Sequence, residues 1–306
     1  MSANPEPAAG AEPTSHYYSS QGLRLHYVDW GNADKPLLLL VHGGRDHCRS
    51  WDWVARAFRG DFHVVAPDLR GHGQSEWARG TEYSTLEIFT DLALLLEQLD
   101  RFPVTIIGHS FGGTAAAYYA GVYPERVAAF VGADCLGTML SRMNTHRPPV
   151  HERFRSRIAK LAEIARKPPA SFASAEEAFR RHRERHKAVR EDIARHFVAH
   201  GLRRGDDGRY TWRYDPMFAL APLDFTYREA DTIALWARIG CPKLFVSAGA
   251  GLFNEPWKDA RVRTFKDARF ELITGAGHQI HHDAPEEFER IVREFLRTVA
   301  ASAARA

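Results

Sequence analysis

Along the chain, short apolar runs and helical stripes take turns. Leu23 to Trp30 alternates large apolar and polar residues in its first half and stops at Gly31-Asn32, which predicts a half-exposed strand, at an edge or in an early antiparallel pair. Pro36 to Val41 is an unbroken apolar run closed by His42-Gly43-Gly44, the pattern of a strand buried on both faces. Helical spacing follows over Trp51 to Phe58, and Phe62 to Ala66 reads as a strand ended by Pro67. Thr85 to Leu99 puts Leu86, Phe89, Leu92, Leu95 and Leu96 on one helical stripe, and Val104 to Ile107 is again a buried strand. An Ala-rich helix over Gly113 to Tyr123 and a strand over Val127 to Gly132 continue the alternation. It predicts an α/β class with parallel strands joined by right-handed crossovers and helices on both faces.

From about Gly137 to Ile239 the alternation gives way to charged, helical sequence, broken at Pro148-Pro149, Pro168-Pro169 and Gly205 to Gly208. Residues 137–239 are therefore expected to form a helical cap inserted into one discontinuous core, 16–136 and 240–306. The core resumes with a strand at Lys243 to Ser247, a short helix near Trp257 to Phe265, a strand at Arg269 to Ile273 and a helix from Ala284 to about Val299. Residues 1–15, rich in Ala, Pro, Glu and Ser, read as a disordered tail.

Composition narrows the class. With 44% hydrophobic and 26% charged residues the chain fits a soluble globular protein. The longest aliphatic stretch, Leu37 to Val41, is far shorter than the roughly 18 residues a spanning helix needs. The N-terminus lacks the basic start and apolar centre of a signal peptide, so a cytoplasmic location is the default expectation. Cys48, Cys135 and Cys241 are widely spaced and form no metal or disulfide pattern, which leaves them as packing thiols. The net charge of +3 hides a segregation: residues 142–213 hold 19 Lys and Arg against 9 Asp and Glu. Those charges recur around the helical pattern without interleaved aromatics, so a solvated face is expected and a nucleic-acid partner is not.

Gly108-His109-Ser110-Phe111-Gly112 is the strongest chemical signal. A Ser flanked two residues away on both sides by Gly, directly after a buried strand and opening a helix, marks a sharp turn that presents its hydroxyl at the carboxyl end of the sheet. A hydroxyl needs a base, and His278 in Gly275-Ala276-Gly277-His278, just past the last strand, is the candidate. His281 and His282 are expected on the surface or in a loop. The anion formed by attack would be held by the backbone amides of Phe111 and Gly44. Asp68, Arg70 and His72 are read as local turn residues, and His182, His186, His196 and His200 as helix-face residues rather than metal ligands.

The segments VHGGRDHCRSW, APDLRGHGQS, IGHSFGG and GAGHQIHHDAPEEF resemble, in order, the signature segments of the α/β-hydrolase superfamily, over nearly all of Tyr17 to Ala300 except the cap. The resemblance implies a mostly parallel sheet flanked by helices, a catalytic triad with an acid holding the histidine, and a small-molecule pocket between core and cap; no cofactor or metal is expected, since the sequence holds no phosphate-cradling Gly-x-x-x-x-Gly-Lys, dinucleotide fingerprint or metal-ligand spacing. Many relatives place the acid after the penultimate strand, but Cys241 to Gly251 carries Ala and Gly there. Another arrangement in the superfamily puts it after the strand that follows the nucleophile helix, which here ends in Asp134. Asp134 is the first choice, with Glu255 or Asp259 as alternatives. The serine sets the chain apart from dehalogenases and epoxide hydrolases of this superfamily, which use Asp at that position. Hydrolysis of a carboxylic ester, lactone or thioester is the expected activity. Carbon–carbon bond hydrolysis of a ring-cleavage product, or a non-catalytic binding role, are the rivals. Met139, Met143, Phe154, Trp212 and Phe218 are the candidate pocket residues.

Overall fold

The computed structural model describes residues 12–78, 83–136, 148–167, 169–220, 229–251, 255 and 258–305. Eight strands form the central sheet: β1 (Thr14–Ser20), β2 (Leu23–Asp29), β3 (Leu37–Val41), β4 (His63–Pro67), β5 (Val104–His109), β6 (Val127–Ala133), and, after the insertion, β10 (Lys243–Ala248) and β11 (Ala268–Ile273). Their order is β1-β2-β4-β3-β5-β6-β10-β11. The first two strands pair antiparallel with their neighbours and the rest run parallel.

The buried run at β3 shows why no polar residue is tolerated there. Leu37, Leu39 and Val41 face one half of the core while Leu38 and Leu40 face the other, the period of two expected of a strand with both faces covered. On the first face lie α2 (Thr85–Leu99) and α3 (Ser110–Val122), through Ile88, Leu92, Leu95, Leu96 and Ala115 to Ala117. On the second lie α1 (Asp52–Phe58) and the C-terminal helix α9 (Pro285–Ala303), through Val54, Phe58, Phe288, Ile291 and Val292. Each such Val, Leu, Ile or Phe side chain, fully buried, contributes about 1.5–3 kcal/mol. The expected stripe on α2 holds except at Leu86, which turns to solvent.

Between β6 and β10 the chain leaves the sheet. Three helices, α4 (Val150–Arg166), α5 (Ala175–Arg185) and α6 (Glu191–Gly201), are joined by a small antiparallel sheet of β7 (Ser171–Phe172), β8 (Leu202–Arg204) and β9 (Tyr210–Trp212). The segment is thus not purely helical. It has its own apolar cluster of Phe172, Phe179, Ile193, Phe197 and Leu202, whereas α4 buries none of its residues. A further helix, α7 (Glu229–Ala237), packs on α3.

Several expectations change. Thr14 and Ser15 belong to β1, where they pair with Asp29 and Val28, so the strand begins inside the segment read as tail. His281 and His282 are 1% and 3% exposed, on the short helix α8 (Ile280–Asp283). His196 and His200 do not sit on a solvated face either: His196 pairs with buried Asp52 at 2.9 Å, and burial pushes His200 down to about 4. Met139 and Met143 lie outside the described residues.

Candidate active site

Strand β5 ends and α3 begins at Ser110, whose φ is +50°. A left-handed non-Gly residue at a strand-to-helix turn is strained, and the flanking glycines show what holds it. A Cβ on Gly112 would stand 2.1 Å from the His42 carbonyl oxygen; one on Gly108 would stand 2.6 Å from Gly113 Cα. Any side chain at either position would force the turn apart. The serine hydroxyl is thereby presented at the N-terminus of a 13-residue helix, where partial positive charge favours an anion.

His278 Nε2 lies 2.9 Å from Ser110 Oγ, and His278 Nδ1 lies 2.6 Å from Asp134 Oδ2. A carboxylate only accepts, so Nδ1 carries the proton and Nε2 presents its lone pair to the serine hydroxyl. Asp134 follows β6 with φ +41°; its amide donates to the Val246 carbonyl and its Oδ1 accepts from the Ala248 amide at 3.1 Å. The carboxylate therefore reaches across to the end of β10, above the space vacated by small residues. A Cβ on Gly251 would come within 2.7 Å of Asp134 Oδ2. Glu255 is instead paired with Lys258 at 2.6 Å, and Asp259 caps a 3-10 turn by accepting from the Arg261 amide. Neither alternative acid is joined to His278.

The Gly44 loop is fixed by neutral imidazoles. His42 Nε2 accepts from the Leu69 amide and His72 Nε2 from the Arg45 amide, each at 3.0 Å. Burial pushes His42 down to about 4 and His72 to about 3, so both rings remain acceptors. Asp68 accepts from the Cys48 amide, His26 and the Gln74 amide. Although burial opposes ionisation, the His26 and Gln74 bonds hold Asp68 well below the usual carboxylate range. Arg70 is buried against Asp91 at 2.6 Å. These residues, read from sequence as local turn groups, keep local bonds, Asp68 to the Gln74 amide and His72 to the Arg70 carbonyl, and add partners 17 to 42 residues away.

A sequence profile of the alpha/beta hydrolase family matches residues 38–291. The chain belongs to this family. Epoxide hydrolase 4 of Mus musculus is 26% identical over 311 residues, spanning 96% of this chain and 83% of its own. The esterase Rv0045c of Mycobacterium tuberculosis is 25% identical over 302 residues, spanning 97% and 95%. Among solved structures, the thioesterase domain from the curacin biosynthetic pathway superposes with a TM-score of 0.78 at 19% identity, covering 92% of this chain and 99% of that one.

Residues outside the Asp134–His278–Ser110 chain also shape this site of the α/β hydrolase. Phe218, on a 3-10 turn (Pro216–Ala219) of the inserted segment, stands over the Gly44 loop: a Cβ on Gly44 would lie 2.3 Å from its ring, and the ring meets Phe111 edge-on at 5.3 Å. Phe218 was named as a pocket residue, but not this contact. His109 donates from Nε2 to the His278 carbonyl at 2.7 Å. Asp283 accepts from the Gly277 amide and shapes the same loop. Of the other pocket candidates, Phe154 is exposed on α4 and Trp212 packs against Phe172 and Phe197 in the apolar cluster between β6 and β10. All three cysteines are buried. Among the described residues no helix is long and apolar enough to cross a membrane.

Proposed function

We propose that this α/β hydrolase cleaves a carboxylic ester, lactone or thioester of a small molecule through an acyl-enzyme on Ser110. The observation that carries the reading is the continuous Asp134–His278–Ser110 chain of 2.6 and 2.9 Å contacts, ending on a hydroxyl at a helix N-terminus. Ser110 Oγ attacks the carbonyl carbon as its proton passes to His278 Nε2, and Asp134 stabilises the resulting imidazolium. The amides of Phe111 and Gly44 receive the oxyanion. His278 returns the proton to the leaving alcohol or thiol, then draws one from water, whose oxygen releases the acid and restores Ser110.

A carboxylate nucleophile of the epoxide-opening kind is not available at this position, since residue 110 is Ser; the likeness to an epoxide hydrolase is taken as one of fold. The esterase among the relatives supports acyl transfer. A p-nitrophenyl ester series of increasing chain length, run on wild type and Ser110→Ala, tests the reading. Release by wild type that is lost in the variant is the expected result, with a fluorophosphonate probe labelling Ser110. Absence of labelling in folded protein would leave a binding protein, and decay of a dienolate without ester turnover would make the substrate bond carbon–carbon.

A further inference from the structure

Next to the nucleophile turn, three buried residues direct unpartnered atoms at one another. Asp46, His109 and His281 are 3%, 1% and 1% exposed. Asp46 Oδ2, His109 Nδ1 and both ring nitrogens of His281 have no hydrogen-bond partner. One ligand atom from each residue lies within 4.8 Å of the others. The remaining valences are committed: Asp46 Oδ1 accepts from the His47 amide at 2.7 Å, and His109 Nε2 faces the His278 carbonyl. Because a carbonyl only accepts, the His109 proton sits on Nε2 and Nδ1 offers a bare lone pair. The His281 ring plane is fixed by stacking on Trp51 at 4.1 Å.

Against one N–H on the neutral His281 ring stand three lone pairs, those of Asp46 Oδ2, His109 Nδ1 and the second His281 nitrogen, with the Ser50 hydroxyl facing the Asp46 carboxylate; buried polar atoms left unsatisfied cost about 1–3 kcal/mol each, and a cation among the three lone pairs would satisfy them together. The donor set is two imidazoles and a carboxylate, the ligands of zinc-class ions. Around an ion with bonds of about 2.1 Å, ligand atoms stand about 3.4 Å apart, so closing the cluster asks each side chain to move by less than about 1 Å. The second cluster of this composition, His26, Cys48 and Asp68, makes no such demand, because His26 and Asp68 already bond to each other at 2.7 Å.

We propose that Asp46 Oδ2, His109 Nδ1 and one ring nitrogen of His281 bind a divalent transition-metal ion, distinct from the Asp134–His278–Ser110 chain. Its ligands belong to the loop after β3, the turn before α3 and the helix α8. These segments carry Gly44 or directly adjoin Ser110 and His278. A bound ion ties them together, as a brace that takes no part in the acyl chemistry.

The test is metal binding by the full chain, stripped with chelator and titrated with Zn(II) by calorimetry and with Co(II) by absorption. One ion per chain is expected, with the visible bands of low-coordinate Co(II). At a hundredfold excess over Kd, zinc raises Tm by on the order of 5 °C. Asp46→Asn and His281→Gln each weaken binding by about a hundredfold, while His186→Ala and His200→Ala, at the paired rings of α5 and α6, leave it unchanged. Stoichiometric binding that survives in the first two variants and fails in the last two overturns the site. Wild type that takes up no ion and gives no Co(II) bands also overturns it, a water then filling the gap; this result needs no variant to fold. Ester turnover is not the readout, so the outcome is independent of the proposed activity.

Discussion

At Ser110 the positive φ, the two glycines and the bond to His278 act on one atom, the serine oxygen. Ser110→Ala is expected to lower kcat/KM by at least about 10³-fold with Tm nearly unchanged, because the side chain contributes chemistry and little packing. Asp134→Asn keeps the shape but lets the amide donate, which favours the wrong His278 tautomer; a loss of about 10³–10⁴ in kcat is expected on the same esters. Retention of most activity by that variant would move the acid elsewhere. Gly44→Ala drives a methyl into the Phe218 ring and is expected to cost about 10²-fold in kcat, the scale of losing one oxyanion donor. Pairing it with Phe218→Ala should recover a large part of that loss, whereas additive effects in the double-mutant cycle would mean the two residues do not meet. Ser110 and His278 were readable because the chemistry demands a local Gly pattern. Phe218 and His109 were not read this way, since their roles depend on contacts more than a hundred residues distant.

Among the elements, strands and long helices were legible wherever a period of 2 or 3.6 ran long enough to count. β3, β5, β6 and β10 fall where the apolar runs do. The missed pieces are short: β7, β8 and β9 hold two or three residues each, too few to show alternation. The buried helix α8 failed for another reason. Its His281 and His282 are polar by type, yet Trp51 and the Ser50 carbonyl give them an interior to occupy. The junction of β3 with α3 is the least forgiving of these contacts. Gly112→Ala would place a methyl 2.1 Å from the His42 carbonyl, and a loss of at least about 3 kcal/mol in unfolding free energy is expected by urea titration. A midpoint within error of wild type would show that the turn yields.

For the molecule as a whole, charge segregation is visible in sequence and becomes a matter of position: the basic segment forms the outer helices, where Arg190, Arg195 and Lys160 pair with nearby acids. Such exposed pairs contribute little. The pH dependence of stability has its source in the interior. Burial holds His42 at about 4 and His72 and His182 at about 3, against about 6.5 when unfolded. Between those values the unfolded chain takes up protons that the folded chain refuses, so stability is lost as pH falls from about 6.5 toward 4, by up to about 1.4 kcal/mol per pH unit for each ring. Asp46, pushed up to about 7 by burial, works the other way, as do Asp91 and Asp283, whose carboxyls burial also raises, and the buried imidazoles remain in the majority. The urea midpoint should therefore drop between pH 7.5 and 5; a flat or rising midpoint would mean these rings are protonated when folded.

Strands β5 and β6 are hydrogen-bonded neighbours in matched register, Gly108 opposite Gly132 and His109 opposite Ala133. Ser110 and Asp134 are each the next residue along, so their separation is set by the pitch of a single ladder at the centre of the sheet. The imidazole arrives from beyond the outermost strand, β11. The acid and the hydroxyl thus share one ladder, while the ring that joins them is held from a separate margin of the sheet.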